Sequence, residues 1–281
     1  MMQRIRWVLL NRGNMLRNGW WMAAFLALIA TILIPNIIVS AQFERSVAIW
    51  EQGVIVAIAT VIIQALRRRP ITEVTGPLDS RTLRQLGAGL GAGALLMLAP
   101  AGLLWATGLA RFDIGSANPA DLLAAVVVMA AVAITEELLF RGVLLQRLAA
   151  GIGNGPAQVG IGLLFVLTHL DNPGMDGATR LWAGVNIFLA SMLFGLAYLR
   201  TRGLALPIGL HFMANVMQGI VLGFGVSGNE EPSVLTPAFN SSTTWLTGGQ
   251  FGLEASLPGL IAVTLMLAFF AFDYRRRRAG S

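Results

Sequence analysis

Polar residues divide this chain into eight apolar runs, at about 20–41, 46–66, 85–110, 121–148, 156–170, 180–199, 204–225 and 256–273. Apolar stretches of roughly 18 residues or more read as helices crossing a bilayer, where only a helix or a closed barrel satisfies every backbone N–H and C=O without water. The fifth run is short: at 1.5 Å per residue it covers ~22 Å of a ~30 Å hydrocarbon core, so it either begins within the glycines of 151–155 or ends inside the membrane. In the third run Gly87, Gly89, Gly91 and Gly93 recur at every second position, placing small residues four apart for close helix packing. Stretches 72–84 and 227–256 read as polar connections, and residues 1–19 as an interfacial basic helix or an irregular basic leader. Val39-Ser40-Ala41 resembles a signal-cleavage site, but the apolar run before it is too long for a signal peptide and reads as an uncleaved anchor. The pattern predicts an all-α, polytopic membrane helical bundle of about eight transmembrane helices. No repeat divides residues 1–281, so they form a single domain.

Composition agrees. Hydrophobic residues make up 56% and charged residues 12% of the chain, against about 25% charged in soluble domains. There is no cysteine, which removes disulfides, a thiolate nucleophile, a Cys-based zinc site and prenylation of the chain itself. Every basic residue is arginine, the net charge is +6, and the arginines stand in short blocks; such blocks suit anionic lipid headgroups and not nucleic acid. With a cytoplasmic N-terminus, fifteen arginines fall in inside segments and only Arg45, Arg111 and Arg180 outside. By the positive-inside rule both termini are cytoplasmic, and the lysine-free chain points to a bacterial inner membrane.

Charge inside an apolar run is costly, about 2.5 kcal/mol or more on insertion scales, and so marks function. The fourth run holds Glu136, Glu137 and Arg141. Glu137 and Arg141 are four apart on one helix face, while Glu136 points about 100° away, so one carboxylate is paired and the other free. A purely structural reading makes them a helix cap near the membrane surface. Both histidines also fall in apolar runs, His169 four residues after Phe165 and His211 four before Asn215. A lone histidine in a helix is more often a satisfied core residue. Helix rise from the cytoplasmic ends gives depths of about 16 Å for Glu136, 18 Å for His169 and 10 Å for His211, one slab lying towards the cytoplasm.

Glu136-Glu137-x-x-x-Arg141, Phe165-x-x-x-His169 and His211-x-x-x-Asn215, in this order on successive spans, resemble the EExxxR, FxxxH and HxxxN motifs of the CAAX-protease and bacteriocin-processing (Abi) family, which includes the type II CAAX prenyl endopeptidases. The resemblance covers about residues 120–225. It implies an intramembrane endopeptidase acting on membrane-associated or CAAX-type peptides and proteins. Carried over, Glu136 is the general base, His169 its partner on the water, and His211 with Asn215 the oxyanion donors. Glu137, Arg141 and Phe165 support them: Glu137 pairs with Arg141, Arg141 alternatively meets a substrate carboxylate, and Phe165 packs.

Family members have also been labelled metalloproteases, and Glu136, His169 and His211 are the residue types of a His2Glu zinc site. No HExxH pair is present, so a metal-free mechanism with no cofactor is the preferred expectation and zinc the alternative. A proton- or ion-coupled transporter or a non-enzymatic immunity protein would also keep ionisable residues in the membrane, but the paired halves usual in transporters are not visible.

Overall fold

The computed structural model describes residues 8–279 other than 12 and 14, so the basic stretch 1–7, part of the expected interfacial segment, lies outside the described residues. The chain is helical almost throughout. Among the described residues six helices are long and apolar enough to cross a membrane: Asn18–Gln42 (α1), Ile49–Leu66 (α2), Ser80–Ala106 (α4), Pro119–Ile152, Gly177–Thr201 (α8) and Leu257–Arg276. Two shorter apolar helices, Asn154–Leu167 (α7) and Ala205–Val221, match the fifth and seventh runs. Pro119–Ile152 comprises α5 (Pro119–Glu137), a π-helical turn (Leu138–Leu144) and α6 (Leu145–Ile152). Ala205–Val221 likewise comprises α9 (Ala205–Asn215) and a π-helical turn over Val216–Val221. The last helix, α11, runs Leu257–Ala279.

Local chemistry fixes the ends. Asn118 caps α5 by accepting from the N–H groups of Ala120 and Asp121, with Pro119 in the first turn; such a cap contributes about 1 kcal/mol. Asp79 caps α4 through the N–H groups of Arg81 and Thr82. Stretch 72–84 is therefore less irregular than its polarity suggests: it holds a turn of helix, Thr72–Thr75 (α3), and the first residues of α4.

Two of the four regularly spaced glycines make the central packing. Gly89 and Gly93 lie against the α9 backbone at Leu206 and Leu210, while Gly209 lies against Leu86 of α4, and none of the three sites has room for a Cβ. Gly87 and Gly91 face open space. This small-x-x-x-small seam clamps α9, which carries His211 and Asn215, against α4.

The stretch 227–256, expected as a polar loop, is ordered. Leu235–Phe239 (β2) pairs antiparallel with Ala110–Ile114 (β1), Ala110 opposite Phe239 and Ile114 opposite Leu235. A turn of helix, Thr244–Thr247 (α10), and two 3-10 turns then lead into α11. The pairing joins segments more than a hundred residues apart, so no local pattern announces it.

Candidate active site

α5 and the π-turn after it carry the two glutamates into different surroundings. The Glu137 side chain is fully buried, and its Oε1 accepts from Arg141 Nη1 at 3.1 Å and from His211 Nδ1 at 2.9 Å. Arg141 is fully buried too. Its Nη2 donates to the Ser191 carbonyl (3.0 Å) and hydroxyl (2.9 Å) on α8. The guanidinium lies 4.9 Å from the Phe165 ring and 5.2 Å from that of Phe194. A π-helical turn widens the helix at this point, and Gly142, with ψ −111°, breaks the helical path directly after the arginine; π-turns recur at functional sites.

The expected Glu137–Arg141 pair is present, but two readings need correction. Arg141 is sealed among Glu137, Ser191 and the aromatic rings, so it is not placed to meet a substrate carboxylate. Glu137 does more than close a helix turn: it orients His211. Since a carboxylate paired with arginine can only accept, Nδ1 of His211 carries the proton, and Nε2 points towards Glu136, whose Oε2 is 3.9 Å away. The Phe194 ring stacks on the imidazole, centroids 4.8 Å apart at 10°.

Glu136 is 22% exposed. Its Oε2 is buried without a hydrogen-bond partner among the described residues, and the side chain lines a cavity of about 630 Å³ shared with His169, His211 and Asn215. The structure thus brings together all four residues that sequence reading named as catalytic. His169 stands not within the helix but in the turn after α7, which ends at Leu167 with Thr168 as its cap. The short fifth run thus begins within the glycines, at Asn154, and presents its histidine just past a helix end. Nδ1 of His169 donates to the Phe165 carbonyl at 2.7 Å, which leaves Nε2 as the ring nitrogen able to accept. The rings of Phe165 and His169 are in contact, centroids 4.6 Å apart. Phe165 thus holds His169 by its carbonyl and faces Arg141 with its ring.

The depth estimate from helix rise is also corrected. His211 does not lie several ångströms nearer one membrane face than Glu136, because the two side chains are neighbours. The cavity does not lie towards the arginine-rich side either: its polar rim is Asn172, Ser227, Asn229, Glu230, Glu231 and Glu254, all from segments at the other end of the bundle.

Sequence reading missed two groups. Asn186 of α8 is buried and lines the cavity; a single amide in an apolar run was the signal. Glu254, before α11, accepts from the Ser227 N–H at 2.6 Å, the Ser227 hydroxyl at 3.1 Å and Gln218 Nε2 at 3.3 Å. Burial pushes its carboxyl above the ordinary range, against the opposing pull of those donors and of nearby His169. Nothing in its local sequence marks it.

Among the described residues, no group of three or more His, Asp or Glu side chains is close enough to hold a metal ion. His211 has Nδ1 committed to Glu137.

No curated protein matches the chain. Residues 118–217 match the family model described as Type II CAAX prenyl endopeptidase Rce1-like. The match opens at the Asn118 cap of α5 and closes two residues after Asn215, so it contains all three motifs and every residue of the Glu137–Arg141–His211 cluster. This is an integral membrane protein, and its residues 118–217 are similar to the type II CAAX prenyl endopeptidases.

Proposed function

We propose that the chain is an intramembrane endopeptidase that hydrolyses peptide bonds of membrane-anchored substrates with a water activated by Glu136 and His169. The observation that carries this reading is the single cavity onto which Glu136, His169, His211 and Asn215 all open. Glu136 offers an unpartnered carboxylate oxygen and His169 an unprotonated Nε2, two acceptors for one water. Glu136 takes a proton as the water oxygen bonds to the carbonyl carbon. It returns that proton to the amide nitrogen as the C–N bond breaks. The negative charge on the tetrahedral oxygen falls to the Asn215 amide and to Nε2–H of His211. That nitrogen donates only when the ring is doubly protonated, and Glu137, hydrogen-bonded to Nδ1, balances the charge.

The reaction runs without metal, a reading supported by the lack of an HExxH pair in the sequence. The two shorter apolar helices complete an eight-span bundle, and both termini lie in the cytoplasm of a bacterial cell. Purified chain incubated with extracted membrane peptides in 18O-water is expected to release fragments whose new C-termini carry 18O, and the Glu136→Gln variant to release none. Equal release by the variant would overturn the mechanism.

A further inference from the structure

The exposed polar residues that line the cavity lie towards one end of the bundle, and the position of that end relative to the arginines decides which compartment supplies the substrate. At one end of the bundle the backbone and charges close over. Leu204 N–H donates to the Thr75 carbonyl at 3.1 Å, and Gly76 packs on Gly203 without space for a Cβ. Glu73 bridges Arg67 and Arg147, 3.1 Å from each. Burial opposes the Glu73 charge, but hydrogen bonds from Arg67 and Gln64 and the charges of both arginines outweigh it and keep its carboxyl below the ordinary range. Arg200 pairs with Asp273 at 2.8 Å. This closed end holds the arginine blocks at 67–69, 81–84, 200–202 and 275–276, whereas among the described residues the other end holds only Arg45, Arg111 and Arg180.

No residue of the arginine-rich end lines the cavity. Its mouth is formed by Asn172, Asn229, Glu230 and Glu231, of which Asn229 and Glu230 are exposed. From this arrangement, with the catalytic reading above, we infer that the site is entered from the non-cytoplasmic face, and that its substrate is a membrane-anchored peptide cut within the chain where it emerges on that face. The lining holds Glu136, Glu230, Glu231 and Glu254 and no arginine. A substrate cut close to its C-terminus would bring a carboxylate among four acidic side chains with no arginine to meet it. An internal bond brings no such charge. The positive-inside rule supplies the direction: the arginine-rich end stays in the cytoplasm, so the mouth faces away from it.

The chain has no cysteine, so single cysteines report position cleanly. In intact spheroplasts of a bacterial host, a bulky membrane-impermeant maleimide is expected to label Glu230→Cys, and to label Arg69→Cys only after permeabilisation. The labelled Glu230→Cys protein is expected to lose hydrolysis, because the adduct stands in the mouth. Labelling of Arg69→Cys in intact spheroplasts, or of Glu230→Cys only after permeabilisation, overturns the inferred sidedness. So does full hydrolysis by completely labelled Glu230→Cys, which would mean that substrate enters elsewhere. Labelling does not depend on turnover. A chain that labels as expected but cleaves nothing before labelling therefore overturns the hydrolase reading and leaves the accessibility result standing.

Discussion

Glu136 and Glu137 are adjacent in sequence and opposite in circumstance. Glu137 sits in a dry knot with Arg141, His211 and Ser191, where one carboxylate oxygen serves two donors. Glu136, one residue earlier, opens onto a cavity of about 630 Å³ and keeps an oxygen with no protein partner. The 100° turn between successive helical residues is enough to separate the two roles. One carboxylate, set away from the cavity, holds a histidine and an arginine in place, and its neighbour, which lines the cavity, is left for chemistry.

Removing a member of the dry knot should cost most in stability. Arg141→Leu leaves Glu137 buried without its cation, so a loss of about 3–5 kcal/mol is expected, read as a lower unfolding temperature in detergent. An unchanged transition would mean that the knot does not hold the fold. On the cavity side, Asn215→Ala should raise the barrier by about 2.7–4 kcal/mol, seen in kcat with little change in KM, since only one transition-state donor is lost. A change confined to KM would make Asn215 a substrate-binding residue instead.

A smaller effect is expected far from both. Glu73 has a lowered pKa in the folded chain, so its contribution to stability is present above the unfolded pKa of about 4.3 and is lost as pH falls through the folded value. Its side chain is 31% exposed, and solvent screening limits the worth of such a pair to about 1 kcal/mol or less. Acid unfolding curves of wild type and Glu73→Gln should therefore converge at low pH and differ slightly near neutrality. A gap that widened on acidification would contradict the assignment.

Much of this contrast was legible in the sequence. The i, i+4 spacing paired Glu137 with Arg141, aligned Phe165 with His169 and freed Glu136, because helix geometry at short range depends on little else. Depth was not legible, since rise along an axis ignores tilt and packing, and the packing of α9 beside α5 lets His211 meet Glu136. The orienting role of Glu137 required knowing which helix faced it. Glu254 reaches the cavity through the fold of 227–256, anchored by a strand pairing between Ala110–Ile114 and Leu235–Phe239 that leaves no local signature.

The two adjacent carboxylates also supply the most direct test, by turnover and thermal unfolding measured together on Glu136→Gln and Glu137→Gln. Glu136→Gln should lower turnover by about 10²–10⁴-fold and leave the unfolding transition in place, whereas Glu137→Gln should lower the transition itself by uncoupling Arg141 and His211. Wild-type turnover in Glu136→Gln, or an unfolding loss in it as large as that of Glu137→Gln, would contradict the division of one free and one structural carboxylate.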